Sequence, residues 1–111
     1  MGIQHWADNI IIVDLPEEPE MAEELETLAE MLSDRDHCNV VIDFASVGVI
    51  TSSSLSKLLK LRRMLLDGER RLIFCSVPPT TSGVFKVTGL DQAFELADDK
   101  FTALATLEMI G

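Results

Sequence analysis

Asn39-Val40-Val41-Ile42-Asp43-Phe44 is followed by Ala45-Ser46-Val47-Gly48-Val49-Ile50, then by Thr51-Ser52-Ser53-Ser54-Leu55 and a leucine-rich run to Leu66. The first six residues are apolar apart from their ends, the pattern of a strand buried on both faces. Residues 45–50 read as a short connection returning to the core. Beyond the hydroxyls, Leu55, Leu58, Leu59, Leu61, Leu65 and Leu66 supply the apolar stripe of a helix, while Lys57, Lys60, Arg62 and Arg63 carry its charge. The helix stops near Asp67-Gly68, where Gly68 suits a left-handed C-terminal conformation. Arg71-Leu72-Ile73-Phe74-Cys75-Ser76-Val77 repeats the buried-strand pattern and is closed by Pro78-Pro79. Buried strands on either side of a helix imply parallel strands joined by a right-handed crossover.

Working outward, Asn9-Ile10-Ile11-Ile12-Val13-Asp14-Leu15 is a β-branched strand ended by Pro16, and Gln4 to Trp6 forms an extended piece before a turn at Asp8-Asn9. The chain therefore opens with a hairpin. Pro19 suits the first turn of a helix running to about Asp34. Glu17, Glu18 and Glu20 lie where its dipole favours negative charge, and Met21, Leu25, Leu28, Met31 and Leu32 form its apolar stripe. On the other side, Thr80 to about Val87 is a short helix offering Val84, Phe85 and Val87 to the core and closed by Gly89. Ala93-Phe94-Glu95-Leu96 is a short final strand. Lys100 to Ile110 is a last helix with Phe101, Leu104, Leu107 and Met109 or Ile110 on its apolar faces. The expected fold is α/β, a single mixed sheet with an N-terminal hairpin, covered by about four helices, in one domain spanning residues 1–111.

A chain of 111 residues, 47% hydrophobic and 25% charged, buries enough surface for one core without metal or disulfide. Its net charge of −10 disfavours nucleic acid, because an acidic surface repels phosphates. The acids concentrate in Asp14, Glu17, Glu18, Glu20, Glu23, Glu24, Glu26, Glu30, Asp34 and Asp36, with Arg35 the only base among them. That segment is a solvated face or a docking surface for something basic. Cys38 and Cys75 read as buried thiols. There is neither a signal segment nor an apolar run long enough for membrane insertion, so a cytoplasmic location is expected. Gly2 does not mark myristoylation, because Trp6 stands where that motif carries Ser or Thr.

Catalytic chemistry is not indicated. His5 and His37 belong to no metal or triad pattern, and Gly48, Gly68, Gly83 and Gly89 are scattered without a following Gly-Lys-Ser/Thr. No cofactor or metal is implied, and the chain reads as a binding or regulatory module. The hydroxyl cluster then has two readings. In one, Thr51 is an N-cap contributing about 1 kcal/mol and the serines fill a solvent-facing first turn. In the other, Ser52 accepts a phosphoryl group, whose roughly two negative charges a helix N-terminus tolerates.

The run from Val40 to Leu66, with Val-Val-Ile-Asp-Phe-Ala-Ser-Val and Ile-Thr-Ser-Ser-Ser-Leu, resembles the STAS domain of bacterial anti-sigma factor antagonists. Val84-Phe85-Lys86-Val87-Thr88-Gly89-Leu90-Asp91-Gln92-Ala93-Phe94 is similar to that family's second recognisable segment. The family's central motif is typically Asp-Ser-Ser/Thr-Gly-Leu, whose first Ser is phosphorylated by a partner that is both anti-sigma factor and serine kinase. The resemblance carries that serine onto Ser52, the second hydroxyl onto Ser53 and the leucine onto Leu55, while Thr51 replaces the Asp and Ser54 the Gly. It implies a partner surface at Gly48, Thr51, Ser52, Ser53, Ser54 and Leu55, with Ser52 and then Ser53 as phosphorylation candidates. The implied partner is an anti-sigma factor serine kinase or another signalling protein. Similar modules also serve as unphosphorylated scaffolds or transporter-associated regulators.

Overall fold

A computed structural model describes residues 2–34 and 37–110, with Met109 and Ile110 described by their backbone alone. The sequence readings on Arg35, Asp36 and the Met109 and Ile110 side chains lie outside the described residues. Among them are the strands β1 (Ile3–Ala7), β2 (Ile10–Asp14), β3 (Asn39–Asp43), β4 (Leu72–Cys75) and β5 (Glu95–Ala97). The helices are α1 (Glu20–Ser33), α2 (Ser52–Asp67), α3 (Pro79–Thr88) and α4 (Lys100–Ile110). The strands form one sheet in the order β1-β2-β3-β4-β5, with β1 antiparallel to β2 and the remaining pairs parallel. The mixed sheet with an opening hairpin is the architecture the alternating strands and helices predict.

Three crossovers that step the same way across a sheet put their helices on one face if all are right-handed. Accordingly Ile11, Val13, Val40, Ile42, Leu72 and Phe74 share one core with Met21, Leu25 and Leu28 of α1, Leu58, Leu61 and Leu65 of α2, and Phe85 of α3. Strand periodicity sends Ile10, Ile12, Val41, Ile73 and Cys75 to the opposite face, where Ala103, Leu104 and Leu107 of α4 meet them. Phe44, Phe74, Phe85 and Phe94 cluster with ring centroids 4.5–6.3 Å apart in the first core. Cys38 and Cys75 are both buried and free, and they belong to the two opposite cores, as buried thiols without a shared bridge.

Several side chains read as core-facing from the sequence are exposed. Phe101 is 84% and Val87 88% exposed, and Leu59, Leu66 and Val84 also lie at the surface. Each sits on an apolar-rich helix, yet only one stripe of a helix reaches a sheet, and Leu58, Leu61, Leu65, Phe85, Leu104 and Leu107 occupy those stripes. Gly68 is not the left-handed residue of the α2 terminus. Its φ is −91°, and the positive φ of 58° falls on Glu69. The Glu69 N–H donates to the Leu66 carbonyl and the Arg70 N–H to that of Leu65, a Schellman closure displaced by one residue. At the end of α3, Gly89 does take the left-handed conformation, with φ 77°.

Candidate functional site

The β2–α1, β3–α2 and β4–α3 connections all lie at the carboxyl ends of parallel strands. The hydroxyl cluster is in the second of these. Thr51 has extended backbone angles (φ −86°, ψ 160°), and its Oγ1 accepts the Ser54 N–H at 3.1 Å, which makes it the N-cap of α2. Its carbonyl accepts the first helical bond from the Leu55 N–H at 2.9 Å.

Two donors of Thr51 remain, and both go to one carboxylate. The Thr51 N–H and Oγ1–H donate to Glu18 Oε2 at 3.0 and 2.9 Å. Glu18 lies 33 residues upstream, in the β2–α1 loop. Partial burial pushes its pKa up, but the approach of the Ser54 hydroxyl, the two Thr51 hydrogen bonds and the Lys57 charge outweigh this and leave it below its ordinary 4.5. The Ser54 hydroxyl itself is buried without a hydrogen-bond partner of ordinary geometry among the described residues. Beside Glu18, Glu17 Oε1 lies 3.2 Å from the point a Cβ on Gly48 would occupy.

Ser52 and Ser53 are exposed in the first turn of α2. Ser54 is fully buried rather than solvent-facing, because it lies on the stripe that continues as Leu58, Leu61 and Leu65. Leu55 is half-buried against the core, and Gly48 is exposed. Beside the serines, a shallow cleft of about 250 Å³ is lined by Gly48, Val49, Ile50, Thr80, Thr81 and Val84. Val49 is 71% exposed at its rim, while the Thr81 hydroxyl is buried without a hydrogen-bond partner among the described residues.

The sequence reading did not bring Glu18, Thr80, Thr81 or Val84 to this place. Glu18 carries no signal beyond its position before the first helix, where it was assigned to that helix's dipole. Among the described residues, no group of three or more His, Cys, Asp and Glu side chains is placed to hold a metal, and no helix is long and apolar enough to cross a membrane. His37 Nε2–H donates to the Asp8 carbonyl at 3.0 Å, tying the α1–β3 turn to the opening hairpin.

An exposed serine pair on a capped helix, at the carboxyl end of a sheet in this strand order, is the setting in which the family comparisons take meaning. A model of the STAS domain matches residues 8–103. The chain belongs to the STAS domain family. A candidate anti-sigma factor antagonist of Bordetella bronchiseptica, BtrV, is 26% identical to it over 87 residues, 78% of this chain and 75% of that protein. Among solved structures, a serine-to-glutamate variant of RsbS from Moorella thermoacetica superposes on this STAS domain with a TM-score of 0.83. It is 17% identical, with 97% of this chain and 94% of that one covered. The Bacillus cell fate determinant SpoIIAA in its phosphorylated form gives a TM-score of 0.73 at 16% identity, covering 95% and 96%. These structures share the fold of the present STAS domain, and its distant sequence relative BtrV is a candidate anti-sigma factor antagonist.

Proposed function

We propose that this STAS domain is a non-catalytic anti-sigma factor antagonist that binds an anti-sigma factor serine kinase and is switched by phosphorylation at Ser52, with Ser53 the next acceptor. The observation that carries this reading is the exposure of Ser52 in the first turn of a helix capped independently by Thr51. A phosphoryl group there meets the positive end of the helix dipole, so the fold tolerates it while an acidic or closely packed partner does not. The partner surface is Gly48, Thr51, Ser52, Ser53 and Leu55, extended by the apolar rim of Val49 and Val84. Ser54 contributes from beneath by fixing the turn. Incubation with candidate serine kinases, followed by mass-spectrometric mapping, is expected to place phosphate on Ser52 and to weaken binding. No phosphate on Ser52 or Ser53, together with no binding, overturns the proposal.

A second reading, a scaffold or transporter-associated module of the same fold, is favoured by Thr51 and Ser54 standing at the Asp and Gly positions of the motif it resembles. Pull-down of an ABC ATPase or permease, unaffected by Ser52→Asp, supports that alternative.

A further inference from the structure

The Thr51–Glu18 contact joins the β2–α1 loop to the residue immediately before Ser52, and the proposed modification of Ser52 leaves its purpose unassigned. We propose that Glu18 is a positioning residue that latches the β2–α1 loop onto the start of α2 while Ser52 is unmodified and is driven off when Ser52 carries phosphate. This rests on the reading of Ser52 as the modified residue.

Glu18 Oε2 takes both protons that Thr51 can donate, at 3.0 and 2.9 Å. Glu17 Oε1 reaches the same connection three residues earlier, at Gly48. Two carboxylates of one loop therefore stand against the stretch leading into Ser52. Lys57, the cation of the next turn, is already 3.4 Å from Glu26 Oε2. A dianion on Ser52 would compete for the same N-terminal end of the α2 dipole and repel both carboxylates.

Which side gives way follows from what else holds each one. The cap from Thr51 to the Ser54 N–H does not involve Glu18, and Ser54 is anchored on the buried stripe of α2. Glu17 is exposed and Glu18 is only half-buried, so both carboxylates can turn into solvent. Modification would thus free the Glu18 carboxylate from Thr51 and loosen the exposed part of the loop, while α2 and the start of α1, held by the fully buried Met21, stay in place. The switch would change the surface of the β2–α1 loop as well as the serine itself.

Phosphoserine installed genetically at position 52 of the intact chain, in wild type and in Glu18→Gln, tests this by amide hydrogen exchange and backbone NMR. Gln keeps an acceptor for Thr51 but carries no charge. In wild type the phosphate is expected to speed exchange of the Thr51 amide roughly five- to tenfold, the scale of one net hydrogen bond. It should also shift the resonances of Glu17, Glu18, Glu20 and Met21 and leave the Ser54 amide protected. In Glu18→Gln, where no charge remains to be driven from Thr51, the changes in the Thr51 amide and in the resonances of Glu20 and Met21 should be clearly smaller than in wild type. An unchanged Thr51 amide in phosphorylated wild type, or an equal response in Glu18→Gln, overturns the latch. Because the phosphate is installed and not transferred by a kinase, failure to find a kinase for Ser52 bears on the function proposed above and not on this result.

Discussion

Every backbone and side-chain polar atom of Thr51 is engaged, by Ser54, by Leu55 and by Glu18. Thr51→Ala removes the cap and one Glu18 contact and is expected to cost about 1–2 kcal/mol in denaturant unfolding, whereas Thr51→Ser retains most of the stability. The Glu18 carboxyl is held below its ordinary 4.5 although burial alone would raise it, so its contribution is present above pH 4.5 and lost as pH falls. The stability difference between wild type and Glu18→Gln should accordingly shrink in acid, as followed by thermal unfolding across a pH series. Cys75 behaves oppositely. Burial foremost, with the Asp43 carboxylate adding to it, pushes its thiol from 9.0 to about 11. The folded protein keeps it protonated where the unfolded chain ionises, so that part of the stability falls as pH climbs from 9.0 towards 11. At about pH 8, iodoacetamide should leave Cys75 unmodified in the native protein and alkylate it after denaturation, as read by mass spectrometry.

Helix ends carry the corresponding tests among the elements. At the close of α2 the left-handed conformation falls on Glu69, with φ 58°, although Gly68 is adjacent. Gly68 instead gives room to the Arg70 guanidinium, whose Nε lies 2.7 Å from where a Cβ would stand. Glu69→Gly is therefore expected to stabilise the protein by about 0.5–1 kcal/mol, relief of the left-handed strain exceeding the entropy that glycine adds to the unfolded chain. Gly89→Ala at the end of α3 should destabilise it by about 1 kcal/mol, since φ there is 77° and no neighbour lies within 4 Å of the added Cβ. Both changes are read from denaturation midpoints at constant slope.

Across the whole molecule, α1, α2 and α3 cover one face of the sheet while the second core rests on α4. Lys100 fastens the start of α4, donating to Asp14 Oδ1 at 2.9 Å and lying 3.7 Å from Asp43 Oδ2. These partly exposed pairs orient α4 more than they stabilise it. A chain ending at Asp98 would uncover Ile10, Ile12, Val41 and Ile73. Each such side chain is worth about 1.5–3 kcal/mol, so their sum is comparable to the entire stability of ~5–15 kcal/mol. Loss of cooperative unfolding and association on size-exclusion chromatography are the expected outcome.

Strand identity, helix order and the Thr51 cap were legible because each depends on local pattern: β-branched runs, an apolar stripe and a hydroxyl immediately before it. Which leucines of α2 reach the sheet, and that Phe101 of α4 does not, was not, because a helix rich in apolar residues on several sides does not declare its buried stripe until the sheet is placed. The hydroxyl cluster shows the same division. Sequence alone placed Ser52 at the start of a capped helix. Only the tertiary structure turned Ser54 inward with Leu58 and brought the Glu18 carboxylate across 33 residues onto Thr51, since contacts between separate loops depend on how parallel strands stack and not on the residues beside them.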